Sequence, residues 1–265
     1  MNPLFVRLRP AWALLFAVAL LAMACPLHAQ NTPGTVDSSF NPGAFNSVHA
    51  VATQPDGKML IGGSFTSAGS PARNYLARLN TDGTVDASFA PAVNYIVNSI
   101  LVQADGKIVI GGGFTVVGGQ THNYIARLNP IDGSVDAGFT VNANNGVYGM
   151  AVQSDGKIVV AGQFTTMNFQ PHYFIARLNS FDGSPDASFT TLGTNDAVFT
   201  TAIQADGKIV IGGAFTSISI GSNGYGRSHL ARLTNTGALD PDFINSGADS
   251  TIFNAAVQEI GRAHV

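Results

Sequence analysis

Between residues 30 and 258 the chain has no cysteine, no tryptophan and no glutamate. Without a thiol it forms no disulfide, although an oxidising compartment would permit one, and it offers no thiolate nucleophile. Charge is scarce throughout: 11% of residues are Asp, Glu, Lys or Arg, against roughly 25% in ordinary soluble domains. Over 30–258 ten Lys and Arg face fifteen Asp, a balance that argues against a basic surface for nucleic acid. Hydrophobic residues at 45% exclude disorder, which needs few apolar residues and high net charge. Blocks of Glu, Lys and Leu are missing, while Gly reaches 30 and Pro 12, a composition unsuited to a helical bundle.

The one long apolar run lies at Ala11 to Ala24, preceded by Arg7 and Arg9. Pro26-Leu27-His28-Ala29 then leads to Gln30, so residues 1–29 read as a secretory signal. The run is shorter than the roughly 20 residues of a spanning helix. No membrane span is therefore expected after cleavage, and the product is expected to be exported: periplasmic, cell-surface or secreted. Cys25 after Leu21-Ala22-Met23-Ala24 faintly resembles a lipoprotein acylation site, which Met23 and Pro26 fit poorly. At the other end, Glu259 to Val265 back-translates as GAG-ATC-GGA-AGA-GCA-CAC-GTC, the read-through of a common sequencing adapter. Residues 259–265 are accordingly expected to be an artefact.

The body is one repeated unit. Gln54-Pro-Asp-Gly-Lys58 recurs at 103–107, 153–157 and 204–208, and every Lys in the chain belongs to one of these copies. Ala77-Arg-Leu79 recurs at 126–128, 176–178 and 231–233. Asp37-x-x-Phe40 recurs at Asp86/Phe89, Asp136/Phe139, Asp186/Phe189 and Asp240/Phe243. Units begin near 36, 85, 135, 185 and 239, so four are complete and a fifth is partial.

Each unit reads as strands. In the first, Val48 to Thr53 carries small residues on one face, as a strand crowded toward an axis would. The Asp-Gly pair after Gln54 predicts a type I′ hairpin turn. Lys58 to Phe65 is apolar without alternation, so both its faces are expected to be buried, and its Gly pair allows close backbone approach. Tyr75–Asn80 reads as a third strand and Val85–Phe89 as a short fourth. The turn between them varies in length, yet Arg78 still falls opposite Asp86, Arg127 opposite Asp136, Arg177 opposite Asp186 and Arg232 opposite Asp240. That persistence of register makes four structural cross-strand ion pairs.

Four antiparallel strands in about 50 residues, with buried inner strands and no helix, is how a β-propeller blade reads. A linear β-solenoid is the runner-up, with coils usually shorter than this. The Gln-x-Asp-Gly-Lys, Gly-Gly-x-Phe-Thr, Ala-Arg-Leu-Asn and Asp-x-Ser-Phe segments closely resemble the bacterial delta-60 repeat over about 36–258. That resemblance implies a propeller-type fold of unknown function, found in long exported or surface proteins. The expected fold is therefore all-β: four complete four-stranded propeller blades and a partial fifth, in an open or incomplete ring. The exposed flanks of such an array predict self-association of residues 30–258.

Catalytic signals are sparse. His49, His122, His172 and His229 fall in separate units without metal-ligand spacing, and read as solvent-exposed loop side chains. Thirteen of fifteen Asp lie in or beside the recurring motifs; Asp196 and Asp249 stand outside them. A paired-carboxylate hydrolase needs a singular constellation, so structural carboxylates are favoured. Asn80-x-Asp82-Gly-x-x-Asp86 superficially resembles a calcium loop but lacks its leading acid and distal Glu, so calcium is disfavoured and no cofactor is expected. Gly111-Gly-Gly113 lies inside a strand and opens no helix, which rejects a phosphate loop.

Strand parity gives a better pointer. The near-uniform Asp-Gly turns share one end of the blades, and the variable second-to-third loops share the other with the lead-in segments. The third loop carries Met167, Phe169, His172 and Tyr173, and the fourth carries Tyr225, Arg227 and His229. The lead-ins add Phe45, Tyr95, Tyr148 and Phe199. Recognition on rigid scaffolds concentrates in loops, with aromatics and Arg as anchors. Phe169, His172, Tyr173, Tyr225, Arg227 and His229 are thus the candidate binding residues, for a protein or glycan partner. A non-catalytic part of an extracellular carbohydrate-active enzyme and a purely structural surface element are the alternatives.

Overall fold

The computed structural model describes residues 40–44, 46–189, 193–220, 223–243 and 247–257. All belong to the unit Ser39–Val265. The signal-like segment, Asp37, Phe45 and the 259–265 tail lie outside the described residues.

Four three-stranded antiparallel sheets follow one another along the chain. They are β1 (Val48–Thr53), β2 (Met59–Gly63) and β3 (Leu76–Leu79); β4 (Val97–Val102), β5 (Ile108–Gly112) and β8 (Ile125–Leu128); β9 (Val147–Val152), β10 (Ile158–Gly162) and β13 (Ile175–Leu178); and β15 (Val198–Ile203), β16 (Ile209–Gly213) and β19 (Leu230–Leu233). In each, the second strand is central, as its apolar run predicts. It is also sandwiched between neighbouring blades: all five residues of β5 and of β10 are buried. The hydrophobic clusters lie between blades. Leu60 and Leu76 of the first blade pack with Val97, Ile108 and Ile110 of the second, so each unit completes its core with its neighbour. The first strands stand side by side, β1 next to β4, β4 next to β9 and β9 next to β15. The described residues form an all-β propeller array, open rather than closed on itself.

Two local expectations are corrected. The Asp-Gly turns are three-residue loops, not type I′ turns. Gly57 N–H donates to Gln54 O at 3.0 Å and Gln54 N–H to Lys58 O at 2.8 Å. Only the glycine takes positive φ (83°), the Asp instead accepting from the Lys58 N–H. The expected fourth strands shrink to single bridges, Leu79↔Val85, Leu128↔Val135, Leu178↔Pro185 and Leu233↔Leu239. The following Asp ends each ladder: Asp86 Oδ1 accepts from the Ser88 N–H at 3.0 Å and the Ser88 hydroxyl at 2.6 Å, closing a turn. Phe89 is thereby folded into the core, against the glycine of the next blade's turn, Gly133.

The variable end carries three small sheets that the sequence pattern did not announce. They are β6 (Val116–Val117) with β7 (Gln120–Thr121), β11 (Thr166–Met167) with β12 (Gln170–Pro171), and β14 (Gly193–Thr194) with β17 (Ser217–Ile220) and β18 (Asn223–Gly226).

Candidate functional site

At the uniform end, Arg78 Nε lies 2.9 Å from Asp86, Arg127 2.9 Å from Asp136, Arg177 2.8 Å from Asp186 and Arg232 2.6 Å from Asp240. The four lysines converge on the same carboxylates: Lys58 on Asp86, Lys107 on Asp136, Lys157 on Asp186 and Lys208 on Asp240, at 2.7–3.0 Å. Burial pushes the Asp136 carboxyl up, but Lys107, the Gly138 N–H and Arg127 outweigh it and hold it at about 2. Asp82 accepts from both the backbone N–H and the hydroxyl of Thr84, so the calcium-like loop spends its carboxylates on the protein's own donors. Among the described residues no group of three His, Cys, Asp or Glu is placed to hold a metal.

The candidate loop residues divide into two groups. Phe169 sits at the tip of the β11–β12 hairpin, 88% exposed and at positive φ. His172 is half-buried, and burial lowers its pKa; Tyr173 is half-exposed and bridges Gly193. In the fourth blade Tyr225 pairs with Ile218, and His229 Nδ1 lies 2.8 Å from Ala248 O. Arg227 donates to Gly226 O, and its Nε is buried without a partner. The β14–β17–β18 sheet places Tyr173 along one edge and Tyr225 along the other. Of the four histidines read as exposed, only His49 is; His122, His172 and His229 are half-buried.

The centre of that end holds a different arrangement. A β-bulge interrupts each first strand at its second residue: the partner of Gly63 is Val48 and that of Gly62 is Ala50, leaving His49 extra. The same shift isolates Asn98, Tyr148 and Phe199. The Gly-Gly pair makes this possible, because a Cβ on Gly112 would lie 2.1 Å from Ile96 O, where the bulged strand crosses. The preceding glycine receives the next blade: a Cβ on Gly62 would lie 2.7 Å from Val97 Cγ1, and one on Gly212 2.6 Å from Ile252 Cγ2. Ile252 thus packs on Gly212 as Val97 packs on Gly62, with Phe253 next to it, in a segment that forms no strand.

His49, Asn98, Tyr148, Phe199 and Phe253, one from each unit, all line one cavity of about 370 Å3. They form a chain. His49 Nδ1 lies 3.2 Å from Asn98 Oδ1, and Asn98 Nδ2 donates to Val147 O at 3.2 Å. The Tyr148 hydroxyl donates to Gln163 Oε1 at 2.9 Å, which fixes its ring. Tyr148 and Phe199 meet at 5.3 Å and 58°, Phe199 and Phe253 at 5.3 Å and 25°. The candidate loop residues line no part of this cavity. Sequence reasoning named Tyr148 and Phe199 only as lead-in aromatics and His49 only as an exposed loop side chain, and missed Asn98 and Phe253. The available signal was variation itself: after Val48, Val97, Val147, Val198 and Ile252 come His, Asn, Tyr, Phe and Phe in turn, while the position before stays Val or Ile.

Solved structures of similar fold include a protein of unknown function from Bacteroides caccae, 13% identical, with 73% of this chain and 65% of that one aligned (TM-score 0.42). Virginiamycin B lyase from Staphylococcus aureus is 13% identical over 74% of this chain and 56% of its own (TM-score 0.43). The extracellular domain of BT4673 from B. thetaiotaomicron is 14% identical over 79% and 24% (TM-score 0.45). The chain therefore spans less than two thirds of the length of each. No curated protein matches it. Residues 54–89, 103–139, 153–189 and 204–243, the stretches that carry the turns, central strands and Arg–Asp pairs, match one family profile, and the chain belongs to the family described as Domain of unknown function (DUF5122) beta-propeller.

Proposed function

We propose that this protein is an exported, non-catalytic binding scaffold whose variable end engages a protein or glycan partner, with the axial cavity at its centre. One observation carries the reading. The same bulge, in successive blades, delivers different side chains into a single cavity, while the ion pairs at the opposite end repeat unchanged. A fixed backbone that presents varied side chains at one place is the arrangement of a recognition surface. A purely structural stalk would have no use for that variation. The cavity wall carries no carboxylate among the described residues, and this supports binding over acid–base hydrolysis, which needs one. Export rests on the signal-like residues 1–29 and agrees with the delta-60 resemblance.

The test is plate binding of the labelled protein to immobilised polysaccharides and proteins. The expected result is retention on at least one surface, lost when Asn98, Tyr148 and Phe199 are all changed to Ala. Retention that survives this triple change, or none on any surface, overturns the reading.

A further inference from the structure

From the chemistry of the axial cavity we infer that its ligand is a neutral carbohydrate; this rests on the binding reading above and names the ligand class. The first ground is charge. No Lys, Arg, Asp or Glu lines the cavity among the described residues, and its only ionisable side chains are His49 and Tyr148. A phosphate, a uronic acid or a charged peptide would enter without a counter-ion, at a desolvation cost that nothing there offsets.

The second ground is amphipathicity. Sugars present apolar C–H faces and a rim of hydroxyls that both donate and accept. The cavity matches both. Phe199 and Phe253 form a stacked aromatic pair, and Phe253 is 74% exposed, so one ring face is open to a pyranose. Around it stand neutral groups able to donate and accept: the Asn98 amide, the His49 imidazole and the hydroxyl of Ser99. The wall as a whole is more polar than apolar, which disfavours a greasy ligand.

The third ground is size and shape. A recess of about 370 Å3 falls in the range of small-molecule sites, roughly 300–1,000 Å3. A protein partner instead needs about 800 Å2 of surface per side, so the recess itself suits a few sugar units.

The experiment is titration calorimetry of the protein with tetrasaccharides of glucose (β-1,4 and α-1,4), xylose and N-acetylglucosamine, and with tetragalacturonate as the charged comparison. We expect at least one neutral tetrasaccharide to bind. Phe253→Ala and Asn98→Ala should each weaken it about tenfold, while Phe181→Ala, at the opposite end, changes nothing. Phe253 is mostly exposed, so its variant should keep the wild-type melting curve, and a loss of binding is then not a loss of fold. Binding of none of the neutral sugars, tighter binding of tetragalacturonate, or equal binding by the Phe253 and Asn98 variants overturns the inference. If plate binding to an immobilised protein still depends on the axial residues while every neutral sugar fails, the carbohydrate assignment falls and the scaffold reading stands. If plate binding fails as well, both fall.

Discussion

Arg127 in the second blade donates through Nη2 to the backbone carbonyl of Phe181 in the third, at 2.7 Å. The same guanidinium reaches the Ser180 carbonyl, holds Asp136 through Nε at 2.9 Å, and lies 4.6 Å from the centre of the Phe139 ring. Arg78 repeats all of this toward Pro130 and Ile131 of the second blade. The Arg–Asp pair is thus the root of a clamp between blades. Its Arg is buried, with the planar fork that two neighbouring carbonyls require.

Arg127→Ala leaves Asp136 without one of its two counter-ions, Lys107 remaining, and takes the Arg127 donors from two carbonyls of the next blade. The expected cost is about 3 kcal/mol, a melting temperature lower by roughly 6–12 °C in a domain of this size. Arg127→Lys should recover only part of it, since an ammonium cannot serve the carboxylate and both carbonyls together. Calorimetry that shows an unchanged melting temperature for Arg127→Ala would remove the clamp from the argument.

Acid should undo the same clamps. The Asp136 carboxyl sits at about 2 against an ordinary 3.8, and Asp86 and Asp186 are lowered further. A group depressed in the folded state adds stability that is complete above its unfolded pKa and vanishes as pH falls through the folded one. Stability should therefore be level above pH ~4 and fall between pH ~4 and ~2, with Asp136 alone contributing about 2 kcal/mol. Asp136→Asn should lower stability at neutral pH and flatten this acid slope; urea unfolding at stepped pH measures both. A slope identical to wild type would show that Asp136 does not titrate in this window.

Arg227 offers the contrast. Its Nε is buried with no partner, and its guanidinium donates through Nη1 to the carbonyl of its own neighbour, Gly226. Arg227→Ala should leave the melting curve within about 0.5 kcal/mol of wild type. A loss on the scale of Arg127→Ala would mean that this arginine supports the fold.

How much of this was readable from the sequence depended on whether a feature repeats. Gln-x-Asp-Gly-Lys, Ala-Arg-Leu and Asp-x-x-Phe recur at fixed offsets, so the blades, their order and the Arg–Asp register could be read directly. The lysines were visible as one per unit, but not their destination: Lys58, entering β2, meets Asp86 by reaching across the end of β3, which lies between β2 and the Val85 bridge, and no local pattern states that. The fourth strand was over-read, since Asp86 bonding back to Ser88 mimics strand spacing in sequence while ending the ladder in space. The axial cavity was hidden for the opposite reason. A bulge costs one residue of alternation, and the run His49, Asn98, Tyr148, Phe199 and Phe253 changes from polar to aromatic along the chain, so no single residue type marks the position.

The bulge can be tested without touching the cavity. Gly112 lies in β5, and an added Cβ would sit 2.1 Å from Ile96 O and 3.0 Å from Val97 Cα, both backbone atoms that cannot swing aside. Gly112→Ala must therefore push β4 outward at the point where it turns Asn98 toward the axis. The expected cost is about 1–3 kcal/mol, the usual range for overpacking. Gly224→Ala is the matched comparison: it also lies in a strand, β18, its added Cβ meets nothing within 4 Å, and it should stay within about 0.5 kcal/mol of wild type. If the bulge is what aims the axial side chains, Gly112→Ala should also weaken sugar binding at temperatures where the variant remains folded. A destabilised variant that binds as wild type does would show that Asn98 is aimed by its own bond to Val147 O and not by the backbone beneath it.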